Sequence, residues 1–349
     1  MVTKLYSIKN KIPELSYAYT LNGVELPVLD ITHPLFNASI DVAKLKEMLR
    51  KSEKTAGNTA TKFINMPYYL KKFLIKRSFI MSELLQEQSD HVFLTGLSTL
   101  MLKLGPNLIG KGRKRFLDRL SSKGIGGIVL RMRVRDLCKC QAKAMISLLM
   151  RSHEKDICFI NIAGGAASDS INTLFLILQE NPSLLKNRKI EINILDIDTY
   201  GPAFAERCLT ALKAPGARFS DLSISFRHIH YDWQSTGKLE ELLTERKEWV
   251  QICSSEGGLF EYASDEVIVK NLNALYNNST EDIIFAGSLL RDIKTVDPSI
   301  IAALKISKSI KLRLLGIEGL KSIIEKSKWK LDNVTENNPR YLVFVLKKS

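Results

Sequence analysis

The chain has 349 residues, 45% of them hydrophobic, 8% aromatic and 25% charged, which suits a folded protein with a large core and excludes widespread disorder. The formal net charge is +14, and residues 1–150 carry all of it: 25 Lys and Arg stand against 11 Asp and Glu there, while residues 151–349 hold 26 of each. The start lacks the apolar region of a secretory leader, and the most apolar run, Val92–Leu104, is interrupted by Thr95, Gly96, Ser98, Thr99 and Lys103, so a soluble cytoplasmic protein with no membrane contact is expected.

Cys138, Cys140, Cys158, Cys208 and Cys253 are too sparse for a disulfide framework. His33, His91, His153, His228 and His230 do not cluster with them, and no metal site is expected. The densest basic cluster is Lys111, Arg113, Lys114 and Arg115. It reads as a solvated face, or as a surface for an acidic or nucleic-acid partner, with no RNA-binding motif beside it.

In chain order, Asn22-Gly23 turns a small hairpin between 17–20 and 24–29. Residues 41–50 read as a short helix and 51–61 as a polar loop. Residues 66–104 read as two or more helices, broken by Gly105-Pro106 and the basic cluster. A short helix at 115–120, a break at 121–127 and a long helix over 128–152 complete a mainly helical part, residues 1–150.

Residues 151–349 alternate strand and helix. Strands are expected at 157–162, 190–198, 222–229, 249–254, 282–288, 311–316 and 339–348, with helices between them. This predicts an α/β fold: a doubly wound, seven-stranded, mostly parallel sheet whose last strand returns antiparallel beside the sixth. Such a sheet binds ligands beyond the carboxyl ends of its strands. Ala163, Gly164 and Gly165 follow the first strand, where small residues permit close backbone approach to a ligand. The run lacks the G-x-G-x-x-G spacing of a dinucleotide site, which counts against a dehydrogenase.

Asp196 and Asp198 end the second strand and point the same way. A carboxylate there accepts from ribose hydroxyls; Asp198 is preferred for that role and Asp196 for orienting the glycine loop. Asp232 follows the third strand, placed to accept from an adenine amine, with Tyr231 or Trp233 flanking the ring.

These residues resemble a known family. FINIAGGAASDS, INILDIDTYG and HYDW are similar to the motifs of class I S-adenosylmethionine-dependent methyltransferases, whose seven-stranded sheet ends in an antiparallel strand. The segment 255–262, SEGGLFEY, looks like the element after strand four in the leucine carboxyl and small-molecule O-methyltransferase branch. Arg133 and Arg135 resemble that branch's arginine-bearing helix, where an arginine meets a carboxylate. The resemblance implies S-adenosyl-L-methionine as cofactor. It places Gly164 under the methionine part, Asp198 at ribose, Asp232 at adenine, and Glu256 near the methionine amino group or the substrate.

A small-molecule acceptor is expected, methylated at oxygen or nitrogen beneath a helical cap. A carboxylate acceptor would need no base and would sit on Arg133 or Arg135. A hydroxyl or amine would need one, and His228, His230 and Glu256 are the candidates, with Tyr262 bordering the methyl path. The alternatives are an RNA or protein acceptor met by the basic half, and a non-catalytic nucleotide-binding or interaction module. The NPPY or DPPY motif of nucleic-acid and amino-group methyltransferases is missing after strand four, where SSEGGLFEY stands.

Overall fold

The computed structural model describes residues 11–36, 38, 40–75, 77–78, 80, 95–109, 116–152, 154–306 and 311–348. The basic cluster 111–115, His153 and all of 81–94, His91 included, lie outside the described residues.

Among the described residues the first element is a hairpin of β1 (Tyr17–Tyr19) and β2 (Glu25–Pro27), turned at Gly23 in the left-handed region (φ 73°). Helix α1 (Val42–Ile64) runs through 51–61, which corrects the expected loop. Thr55 and Thr61 donate their hydroxyls back to the carbonyls of Lys51 and Gly57, so these polar side chains ride on the helix instead of ending it. Helix α2 (Tyr68–Ile75) follows, then α3 (Gly96–Leu108), kinked where Gly105 takes φ 73° before Pro106. Helices α4 (Phe116–Lys123) and α5 (Ile125–Leu149) are separated by Gly124 alone, a far shorter break than 121–127. A Cβ on Gly127 would lie 2.2 Å from the Ser122 carbonyl oxygen, so only glycine permits that tight junction.

The second half is β3 (Ile157–Ile162), α6 (Ser168–Glu180), β4 (Lys189–Asp196), α7 (Tyr200–Leu212), β5 (Ser223–His230), α8 (Gly237–Glu245), β6 (Val250–Glu256), α9 (Gly258–Tyr262), α10 (Asp265–Asn277), β7 (Ile283–Leu290), α11 (Pro298–Ile306), α12 (Gly316–Glu325), β8 (Lys330–Thr335) and β9 (Tyr341–Lys347). The sheet order is β5-β4-β3-β6-β7-β9-β8. Neighbours from β5 to β7 are parallel, and β9 lies antiparallel between β7 and β8, as the sequence predicts for its last strand.

The sixth strand is at 330–335, not 311–316. Arg313 spends its backbone N–H on the Glu261 carbonyl and its guanidinium on the Ala263 carbonyl and Asp265, so 311–315 is tied to the α9–α10 turn and not to a ladder. β8 is an exposed edge with a bulge between Leu331 and Asn333, and it lies outside the strands expected from the sequence.

One buried cluster contains Leu100, Leu104, Val134 and Met145 from the first half with Phe159, Ile192 and Phe204 from the second. On the opposite face Phe260, Phe285, Phe344 and Trp329 pack together, with Phe260 and Phe344 edge to face at 5.0 Å. Phe344→Ala should destabilise the protein by about 3–5 kcal/mol in urea unfolding followed by tryptophan fluorescence. A loss below about 1 kcal/mol would contradict this packing.

Candidate functional site

All six side chains of β3 are buried, so the strand delivers its following loop to the carboxyl edge without tolerance for slippage. The loop is held there by Ala163 N–H donating to the Leu195 carbonyl (2.7 Å). Ala163, Gly165 and Ala167 all take left-handed φ values of 48–56°. A Cβ on Gly164 would meet Asn161 Cβ at 2.5 Å, and one on Gly165 would meet Gly96 Cα at 2.9 Å. Gly201 at the start of α7 presses on the same Gly165 backbone, and Gly258 on Ala163. The loop is therefore a cradle of backbone, closed on one side by α3.

Asp196 is the hub of the loop. Its Oδ2 accepts from Gly165 N–H and its Oδ1 from Asp198 N–H, both at 2.9 Å. Burial pushes this carboxyl up, against those two bonds. Asp198 accepts from Tyr200 and Gly201 N–H (3.1 and 3.0 Å), capping the first turn of α7 while facing the cavity. Tyr231 is buried with its hydroxyl on Asn271 Oδ1 (2.6 Å). Asp232 is exposed and accepts from Gln234 N–H, and Trp233 is half-buried.

A buried ion network closes the other side. Glu256 takes Lys103 Nζ at 2.7 Å and Arg133 Nε at 3.1 Å, and Arg133 Nη1 reaches Glu261 at 2.9 Å. Arg133 also lies over the Tyr341 ring at 4.5 Å. Burial opposes charge on Glu256, but Lys103 and Arg133 outweigh it and hold the carboxyl below its usual range. Burial pushes Glu261 up, with Arg133 opposing and Glu256 reinforcing the shift.

One cavity of about 410 Å³ brings these groups together: Ala163, Gly164, Gly165, Asp196, Asp198, Tyr231, Asp232, Trp233, Arg133, Glu256 and Tyr262 all line it. His230 does not line it; the residue is exposed, and its carbonyl accepts from Lys238. His228 sits beneath, its Nε2 3.0 Å from the Asp196 carbonyl. Arg135 also lies away, paired with Asp136 and donating to the Ala38 carbonyl. A larger open hollow of about 580 Å³ between α1 and α11 contains none of the expected site residues. Cys138 is buried with its thiol on the Asp169 carbonyl, and no group of three potential metal ligands occurs among the described residues.

Sequence reasoning missed Thr95, Gly96, Thr99 and Lys103 on the α3 side, and Glu261. It also missed Asp169, fully buried behind the loop. That carboxylate accepts from Asn161 Nδ2 (2.5 Å), Ser254 Oγ (2.6 Å) and Ser170 N–H (3.0 Å), tying the ends of β3, α6 and β6. Burial, then Glu256, pushes Asp169 up to about 6.

The sequence matches no known family profile and no curated protein. Among solved structures it is similar to a protein of Bordetella parapertussis described as a possible exported protein, at 14% identity, covering 89% of this chain and 99% of that one with a TM-score of 0.55. The likeness shows the fold. An O-methyltransferase family protein of Burkholderia thailandensis aligns at 10% identity over 80% of this chain and 70% of its own, TM-score 0.43. LepI, in a structure with S-adenosylmethionine, aligns at 9% identity over 58% and 46%, TM-score 0.37. The seven-stranded sheet with its inserted antiparallel strand is the doubly wound, mostly parallel α/β architecture expected from the sequence.

Lys103→Met leaves Glu256 with one buried cation in place of two, and should cost about 3–5 kcal/mol in thermal or urea unfolding, with Lys103→Arg milder. Asp169 is ordinarily near 3.8 and is raised in the fold, so its contribution to stability is present at low pH and is lost as pH rises through about 6. Asp169→Asn does not titrate. Whatever constant offset the amide introduces, the variant should gain on wild type between about pH 4 and pH 7, by up to about 3 kcal/mol. A difference that stays flat across that range would contradict the buried acid.

Proposed function

We propose that this chain is an S-adenosyl-L-methionine-dependent methyltransferase acting on a small molecule at oxygen or nitrogen. What supports this is the convergence in one cavity of the glycine loop, the Asp196–Asp198 pair, Tyr231–Trp233 and the turn from Glu256 to Tyr262. The residues fit such a cofactor: a side chain on Gly164 or Gly165 would collide with its surroundings, so the loop presents backbone alone. When bound, the cofactor's sulfonium supplies an electrophilic methyl group.

In this reading Asp198 holds the ribose and Asp196 keeps the loop in place for it. Asp232 takes the adenine amine, with Tyr231 and Trp233 along the ring. Ala163, Gly164 and Gly165 lie under the methionine part, and Arg133 and Glu256 offer opposite charges to its carboxylate and ammonium. Leu102, Leu130, Ile300, Leu312 and Tyr262 complete the acceptor side and exclude water from an in-line displacement.

Glu256, held ionised by two cations, orients charge and is a poor proton acceptor. Glu261, raised by burial and lining the same cavity, is the better-placed group where an acceptor must lose a proton. His230 is left outside the machinery. Residues 1–150 act as the cap and 151–349 as the cofactor-binding part. The buried free thiols Cys138, Cys158, Cys208 and Cys253 favour a reducing, cytoplasmic setting.

Calorimetric titration of S-adenosylmethionine tests the assignment. Asp198→Ala should lose about 2–4 kcal/mol of binding, on the order of 30-fold or more, with Asp198→Asn milder. Asp196→Ala should weaken binding less, through the loop. Circular dichroism checks the fold, since Asp198 also caps α7. Unchanged affinity in folded Asp198→Ala sinks its role, and a larger loss at Asp196 transfers the ribose to that acid.

A further inference from the structure

Helix α2 carries an unusual surface. Tyr68 and Tyr69 are 71% and 70% exposed, Phe73 50%, and Leu70 and the neighbouring Ile64 40% and 44%. Single exposed apolar residues are ordinary; five on one short arm form a patch. Cations surround it. Lys62, Lys72 and Arg77 are exposed, with Lys72 Nζ 5.8 Å from the Tyr68 ring centre and Arg77 Cζ 4.3 Å from that of Phe73. Residues 41–77 hold ten Lys and Arg against three Asp and Glu.

The start of α1 is fixed to the body, where Leu45, Met48 and Leu49 pack with Ile300, Ile301 and Leu304. The patch lies at its far end. Beyond α2 the chain is fixed again, with Ser78 Oγ and Ile80 N–H both donating to Asp118 Oδ1 (2.6 and 3.1 Å). Ile80 lines the cavity, so the exposed arm ends within a few residues of the candidate site.

We propose that this arm is a docking surface for an anionic lipid bilayer. Tyrosine, phenylalanine and short aliphatic side chains settle at headgroup depth, while flanking lysines and arginine reach the acidic headgroups. A second copy of the chain is a poor occupant, because it would bring like charges together. RNA would satisfy the cations, but Ile64 and Leu70 offer nothing to a base or phosphate, and Tyr68 and Phe73 already carry a cation on one face. Attachment of this kind is peripheral: among the described residues no helix is long and apolar enough to cross a membrane.

Co-sedimentation of the full chain with vesicles decides the matter. Vesicles of phosphatidylcholine with about one third phosphatidylserine should bind it at low salt, on the order of 10-fold more tightly than pure phosphatidylcholine, and added salt should release it. Tyr68→Ser combined with Tyr69→Ser and Phe73→Ser should lose about 10-fold or more, as should Lys62→Glu with Lys72→Glu. All five positions are exposed, so both variants should keep the wild-type circular dichroism and melting temperature. No binding to anionic vesicles at low salt overturns the proposal, as does binding unchanged in the folded aromatic variant. Filter binding to generic single-stranded RNA is the remaining arm. RNA bound in preference to vesicles, and equally by the aromatic variant, would assign the surface to nucleic acid instead.

Discussion

Four charges removed from water at one point hold the two halves of this molecule in register. Lys103 and Arg133 come from α3 and α5; Glu256 and Glu261 come from the end of β6 and from α9. None of the four tolerates burial alone, because an unpaired charge in the interior costs several kcal/mol. The helical part must therefore sit over the carboxyl edge of the sheet for the network to close. Once it does, α3 also reaches the glycine loop, where Gly96 and Gly165 meet without room for a Cβ on either. The cavity is a consequence of this arrangement: its floor is sheet, its lid is helix, and charged side chains join them.

Much of the sheet was legible because its strands obey simple rules. ICFINI and IIFAGSLL are continuous apolar or small-residue runs, and the structure buries every side chain in both. The same rule failed at 311–316, where Leu312 and Leu314 pack as a strand's residues would but Arg313 is bound to the α9–α10 turn. It failed in the opposite sense at β8, whose ladder partner β9 supplies the pairing that its own polar sequence does not announce. Polar residues 51–61 read as loop because their pattern lacks an apolar stripe, yet helix α1 passes through them, continuous with the docked turn at Leu45–Leu49.

The site divides in the same way. Residues that follow strands, such as Gly164, Asp196, Asp198 and Asp232, were readable because βα order alone carries them to one edge. Lys103 was not, since nothing local distinguishes it from other lysines in a basic segment; its meaning comes from Glu256, 153 residues away. Asp169 gave a faint signal as an acid in the first turn of the helix after the glycine loop. Its burial, and its bonds to Asn161 and Ser254, exist only once β3 and β6 pair. Charge separation along the chain also takes on a spatial sense. Within the basic half, Lys103 and Arg133 turn inward to the network, while Lys62, Lys72 and Arg77 stay at the surface beside exposed aromatics.

In the proposed function this cavity holds an adenosyl cofactor between the glycine loop and the ion network. A crystal structure of the chain grown with S-adenosylhomocysteine tests it most directly. The ribose should lie against the Asp196–Asp198 edge and the amino-acid end between Ala163 and the Arg133–Glu256 pair. Nucleoside bound elsewhere, or a cavity without it at saturating concentration, would exclude this cavity as the cofactor site.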